Sequence, residues 1–208
     1  MALTGLMLFG FVIGHLVGNL KLYAGEAVYD AYAEHLRELG APFFGHGQFL
    51  WIFRLVMLAA VALHIEAAWS LTLQNRRARP VGYEVDNRLR PSYASRTMRW
   101  GGVIILLFVI YHLLHLTFGT AHPDFEPGKV YQNVVVGFSI PWVAIFYVIA
   151  NLALGLHLHH GLWSLFQSLG WNHPRLDPWW RRFAALFAVA VTVGNVSFPI
   201  AVLTGVVR

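Results

Sequence analysis

The sequence predicts an all-α integral membrane protein, a five-helix bundle whose first four helices run up, down, up and down. Three observations predict it. The 208-residue chain is 57% hydrophobic and only 12% charged, with a mean hydropathy of +0.56, whereas about a quarter of an average soluble domain is charged. Its apolar residues are gathered into blocks. Its lysines and arginines are sorted between alternate connections.

A spanning helix needs roughly 20 mainly apolar residues. Segments at about 3–22, 48–73, 99–119, 134–165 and 183–206 meet this requirement, and residues 1–208 read as one transmembrane domain without internal repeats. The opening MALTGLMLFGFVIG lacks a positive n-region and a small-residue cleavage site, so it reads as the start of the first span rather than a signal peptide. The first connection contains EAVYDAYAEHLREL, ended by Gly40 and Pro42, with Ala27, Val28, Ala31, Leu36 and Leu39 near one helical face. That pattern predicts a short helix lying at the outer interface.

The connection after the second span holds Arg76, Arg77, Arg79, Arg88, Arg90, Arg96 and Arg99, and the one after the fourth holds Arg175, Arg181 and Arg182. The other two hold Lys21, Arg37 and Lys129. Ten against three is a positive-inside bias. It places the N-terminus and the second and fourth connections in the cytoplasm; a bacterial cytoplasmic membrane is the expected location of the spans. The net charge of +5 therefore reports orientation in membrane lipid and gives no reason to expect nucleic acid.

The chain has no cysteine. This excludes disulfides, an iron–sulfur cluster held by this chain's own thiolates, and c-type haem attachment. It does have eleven histidines, seven of them within the spans: His15, His64, His112, His115, His157, His159 and His160. Histidine is costly inside hydrocarbon and marks function by default. His15 lies about 12 residues into span one and His112 about 13 into span three, each roughly 20 Å from the inner face at 1.5 Å per residue. His64 and His157 belong to the inner halves of spans two and four. Helices one and three face each other across an up-down-up-down bundle, as do two and four. The sequence thus offers an outer pair, His15 with His112, and an inner pair, His64 with His157. Each suits a flat ligand gripped from both sides, and bis-histidine haem of the b type fits.

Two positions carry alternatives. In YHLLH, His115 lies three residues from His112 and on nearly the same face; depth favours His112 as the partner of His15. In GLHLHHGLW, His160 lies about 60° round the helix from His157 and a turn nearer the cytoplasm, while His159 points some 160° away. His157 is the deepest. His160 is placed to meet a propionate, a quinone or a partner subunit, and His159 a headgroup or neighbouring helix. Gly10, Gly14 and Gly18, four apart, suggest close helix packing and room for a porphyrin beside His15. Arg54, in the outer half of span two, needs an anionic partner, and a haem propionate is a candidate. Glu66, two residues past His64, is a candidate proton-handling group or an interface residue.

These stretches together resemble a family. GFVIGHLVGNL, WIFRLVMLAAVALHIEAAWSLTLQNRRARPVGY, RWGGVIILLFVIYHLLHL and GLHLHHGLWSLFQSLG resemble the cytochrome b membrane-anchor subunit of succinate dehydrogenase/fumarate reductase (respiratory complex II), in its single-chain, five-helix, two-haem form. The resemblance covers essentially the whole chain. It implies two b haems, a distal one on His15 and His112 and a proximal one on His64 and His157. It implies an electron conduit in the respiratory chain, as the quinone-reacting part of the enzyme rather than the succinate-binding part. Electrons would pass from a cytoplasmic flavoprotein and an iron–sulfur subunit to quinone, with menaquinone expected in the two-haem type, and neither flavin nor cluster in this chain. The reverse reaction, quinol oxidation with fumarate reduction, uses the same parts, and an oligomer of the complex is compatible with both. Glu34, His46 and Gln48, in the outer connection, are candidates for quinone binding or proton handling near the distal haem.

Two rival readings stand beside this one. One is the dihaem cytochrome b subunit of another quinol-oxidising complex, of the nitrate reductase or formate dehydrogenase type. The histidine-free fifth span argues against it. The other is a haem-free transporter using histidines as a proton relay; such carriers often show repeated halves, and none is seen here.

Overall fold

The first apolar block lacks proline and is rich in good helix formers, and it folds as α1, Ala2–Asn19, extended by a tight 3-10 turn over Leu20–Ala24. The computed structural model describes residues 1–78, 93–171 and 173–208, with the side chains of 93–97 left aside, and every regular element within them is helical. Gly25, at φ 93, turns the chain into α2, Glu26–Glu38. Next come α3, Gln48–Arg77, and α4, Tyr93–His112, which runs on through a π-helical turn at Leu113–Thr117. A short α5, Val130–Phe138, precedes α6, Pro141–Ser168, and α7, Asp177–Leu203. Five of these helices are long and apolar enough to cross a membrane: α1 with its extension, α3, the stretch Met98–Thr117, α6 and α7.

The apolar run at 134–165, read above as one span, is divided. Its first residues belong to α5, the chain is extended at Ile140 (φ −86, ψ 111), and α6 starts at Pro141. Proline lacks an N–H and disfavours helix in the residue before it, so Pro141 suits the start of a helix and Ile140 stays outside it. The fifth span begins earlier than its apolar pattern, at Asp177, because Pro178 suits a first turn. Arg79, Arg88 and Arg90, on which much of the charge asymmetry rests, lie outside the described residues, as does the side chain of Arg96.

The connections place α2 and α5 at one end of the bundle, here called upper, and the α6–α7 connection at the other. At the upper end Leu22, Tyr29, Tyr131, Phe138, Val143, Tyr147 and Phe198 form a buried cluster. Asp30 of α2 accepts a hydrogen bond from the backbone N–H of Tyr131 (2.8 Å) and so ties α2 to α5. A short helix at 26–38 is what the first connection predicts, but Tyr29, Tyr32 and Leu36 face the bundle while Ala27, Val28 and Ala31 are turned away. At the lower end Leu162, Leu165, Phe166 and Ala184 form a second cluster. α6 and α7 pack closely: a Cβ on Gly155 would overlap the Thr192 side chain. The apolar windows of α1, α3 and α4 are only 6%, 11% and 6% buried, against 33% in α6 and α7. The fold is thus a tight α6–α7 spine with α1, α3 and α4 more loosely arranged around the histidines.

Candidate functional site: two facing histidine pairs

His64 and His157 each lie sixteen residues after the first residue of their helices, α3 from Gln48 and α6 from Pro141. Helices of equal rise that run the same way bring such residues to one level. Their rings face each other with centroids 6.4 Å apart and planes at 64°. His15 of α1 and His112, the last residue of α4, face each other with centroids 5.8 Å apart and planes at 86°. The structure therefore brings together the pairs that depth predicts.

Aromatic neighbours hold the upper pair. Phe11, one turn before His15, stacks on it at 5.3 Å and 19°, and Phe108, one turn before His112, lies 5.7 Å from it. His112 and His115 both turn an Nδ1 toward the hydroxyl of Tyr147, at 3.3 and 3.0 Å. In the lower pair the Nδ1 of His64 meets the Thr4 hydroxyl at 3.1 Å, and Thr4 donates to the carbonyl of Met1 at 2.9 Å. The Nδ1 of His157 is buried with no partner among the described residues.

His115 has different surroundings from the pair beside it. It sits in the π turn, marked by the i→i−5 bond from the Phe118 N–H to the Leu113 carbonyl (2.8 Å). It is 0% exposed, stacked between Tyr111 (5.3 Å) and His122 (4.9 Å). Gly137 of α5 lies against it; a Cβ there would stand 2.7 Å from the His115 ring. His122 is buried too, donating through Nε2 to the Asn133 carbonyl (2.8 Å) and accepting the Asp124 N–H at Nδ1 (3.1 Å). Sequence reasoning misses Tyr147 and His122, since a tyrosine in an apolar run and a histidine in a loop carry no signal of their own.

The other candidates are more dispersed. His160 is half-buried with its ring 6.1 Å from Trp163, and His159 is exposed. Glu66 is exposed and about 200° round α3 from His64. Arg54 stacks its guanidinium over Trp51 at 4.8 Å and has no ion pair among the described residues. Of the three α1 glycines spaced four apart, only Gly18 is closely packed, against Tyr32 of α2; no described residue lies within 4 Å of a Cβ placed on Gly10 or Gly14. At the upper surface Glu34 accepts from His46 (2.7 Å) and Arg37 (3.2 Å). These two neighbours, His46 first, hold its carboxyl below the usual range. Gln48 accepts the Gly45 N–H. A cleft of about 480 Å³ lined by His35, Glu38, Phe44 and His46 opens beside them.

The donor set can be tested for fit. Imidazole nitrogens bind metals at about 2 Å, so two opposed rings sharing one ion stand about 6 Å apart, centre to centre. Both pairs match this spacing. No cluster of three or more histidine and carboxylate groups able to hold an ion occurs among the described residues. Two imidazoles with no further protein donor among the described residues would suit a metal that brings its remaining ligands with it, as iron in a porphyrin does.

Comparison with known families gives one match. The model of the succinate dehydrogenase/fumarate reductase transmembrane subunit family matches residues 87–196, more than half of the chain, including His112, Tyr147 and His157. The chain belongs to that family and is a multi-pass membrane protein. No curated protein and no solved structure matches.

Proposed function

From that membership, we propose that the chain is the dihaem cytochrome b anchor of a complex II, passing electrons between an iron–sulfur subunit and membrane quinone. The observation that carries the two-haem form is the pair of facing histidine sets, 5.8 and 6.4 Å apart, on alternate helices. His64 and His157 would hold the proximal b haem, and His15 and His112 the distal one. When bound, each haem supplies a one-electron centre that a thiol-free helix bundle cannot supply itself. Family membership sets the complex II reading above a nitrate reductase or formate dehydrogenase subunit.

The chain's own residues supply binding and orientation. Phe11 and Phe108 restrict the ring positions of His15 and His112. The arginine-rich lower connections face the cytoplasm on this reading, where the flavoprotein and iron–sulfur subunits dock. His160, a turn below His157, lies on that side. Quinone, with menaquinone as the expected type, reacts at the upper end, where Glu34 and His46 share a hydrogen bond at the surface. That pair can take up and hand on a proton, with Glu34 kept ionised by its neighbours. Gln48 restrains the adjoining turn.

A reduced-minus-oxidised spectrum of the purified membrane protein tests the proposal. Two b-type components per chain are expected, together with co-purifying flavoprotein and iron–sulfur subunits. A folded chain that carries no haem under conditions of full haem supply would overturn it.

A further inference from the structure

Each histidine pair contains one ring whose Nδ1 rests on a hydroxyl. In the upper pair it is His112, at 3.3 Å from Tyr147 Oη, and in the lower pair His64, at 3.1 Å from Thr4 Oγ1. Among the described residues the Nδ1 of His157 has no partner. Both hydroxyls also have a second partner to receive their own proton: His115 Nδ1 at 3.0 Å for Tyr147, and the Met1 carbonyl at 2.9 Å for Thr4. A hydroxyl has one proton to give. If that proton goes to the second partner, the hydroxyl oxygen is left to accept from the histidine. His112 and His64 then carry their proton on Nδ1 and present a bare Nε2.

We propose that Tyr147 and Thr4 are positioning residues. Each fixes the tautomer and ring orientation of one ligand per pair and strengthens its electron donation, while the opposite ligand has no hydroxyl partner among the described residues. This rests on the dihaem reading above and adds to it which hydroxyl governs which pair. His115 thereby acquires a role apart from ligation. Its Nδ1 accepts from Tyr147, its ring is locked between Tyr111 and His122, and its Nε2 points into tight packing beside Gly137, with no partner among the described residues. An acceptor on the far nitrogen of a ligating imidazole raises its basicity, which favours the oxidised metal. Loss of either hydroxyl should therefore raise the potential of its own centre.

Redox titration of the two b-type components in the intact complex tests this. Tyr147→Phe should shift the distal component to higher potential and leave the proximal one in place; Thr4→Val should do the reverse. Thr4→Ser should restore the original potential. His115→Asn, which keeps an acceptor at the δ position, should stay near the original, whereas His115→Leu should move toward the Tyr147→Phe value. Each pair has its own variant, so a Tyr147→Phe chain that fails to fold leaves Thr4→Val and Thr4→Ser to decide. Two wild-type components that neither hydroxyl variant moves would overturn the anchoring alone. Absence of b-type signals from the wild-type complex would overturn the dihaem reading instead.

Discussion

His157, His159 and His160 fall within four positions of α6 and meet three different surroundings. His157 faces His64 across 6.4 Å, His160 lies edge-on to Trp163, and His159 is exposed. One helix turns by 100° per residue, so neighbours in sequence cannot share one ligand face. On the proposed reading His157→Ala removes the proximal b-type component and spares the distal one, because the upper pair draws nothing from this part of α6. His159→Ala leaves both. Difference spectra of the two variants check this, and loss of a component from the second but not the first would exchange their roles. Surroundings, rather than helix rotation, separate His112 from His115. Three residues apart in sequence, one faces His15 and the other is enclosed by Tyr111, His122 and Gly137.

At the scale of elements, the five spans are legible because composition alone marks them: hydrocarbon demands long apolar runs and satisfied backbone. The pairing of histidines is legible as well, since helix rise converts sequence position into depth. The division at Pro141 follows from a rule about proline, yet the apolar run across it conceals the break. With α6 starting there, the equal sixteen-residue offsets of His64 and His157 become plain. The π turn after His112 is not legible, because one extra residue in a helical turn leaves no mark in composition. It is this turn that brings His115 under Tyr147. The α6–α7 spine makes its own prediction. A Cβ on Gly155 would collide with Thr192, so Gly155→Val must push the helices apart or force Thr192 into another rotamer. Overpacking of this kind costs about 1–3 kcal/mol. Thermal unfolding of the purified complex should show the loss, and Gly155→Val combined with Thr192→Ala should recover part of it. Equal stability of Gly155→Val and the parent would show that the contact is not close.

For the molecule as a whole, what matters is that the two pairs lie at different depths. On the proposed reading the iron–sulfur partner docks at the lower, cytoplasmic end and quinone reacts at the upper end. An electron delivered to quinone then crosses most of the membrane toward its positive side. Moving one elementary charge across the full potential is worth about 2.3 kcal/mol per 100 mV. A negative charge moving outward is favoured by an inside-negative potential, so succinate oxidation by quinone gains from that potential and the reverse reaction is opposed by it. Collapsing the potential with an ionophore in sealed, energised membranes should therefore slow succinate-linked quinone reduction and speed fumarate reduction by quinol. The same ionophore should change neither rate in detergent solution, where no potential exists. A chain whose quinone reacted at the lower end would move no charge across the membrane, and its rates would be the same with and without ionophore. The comparison thus tests the orientation of the bundle and the end at which quinone reacts in a single measurement.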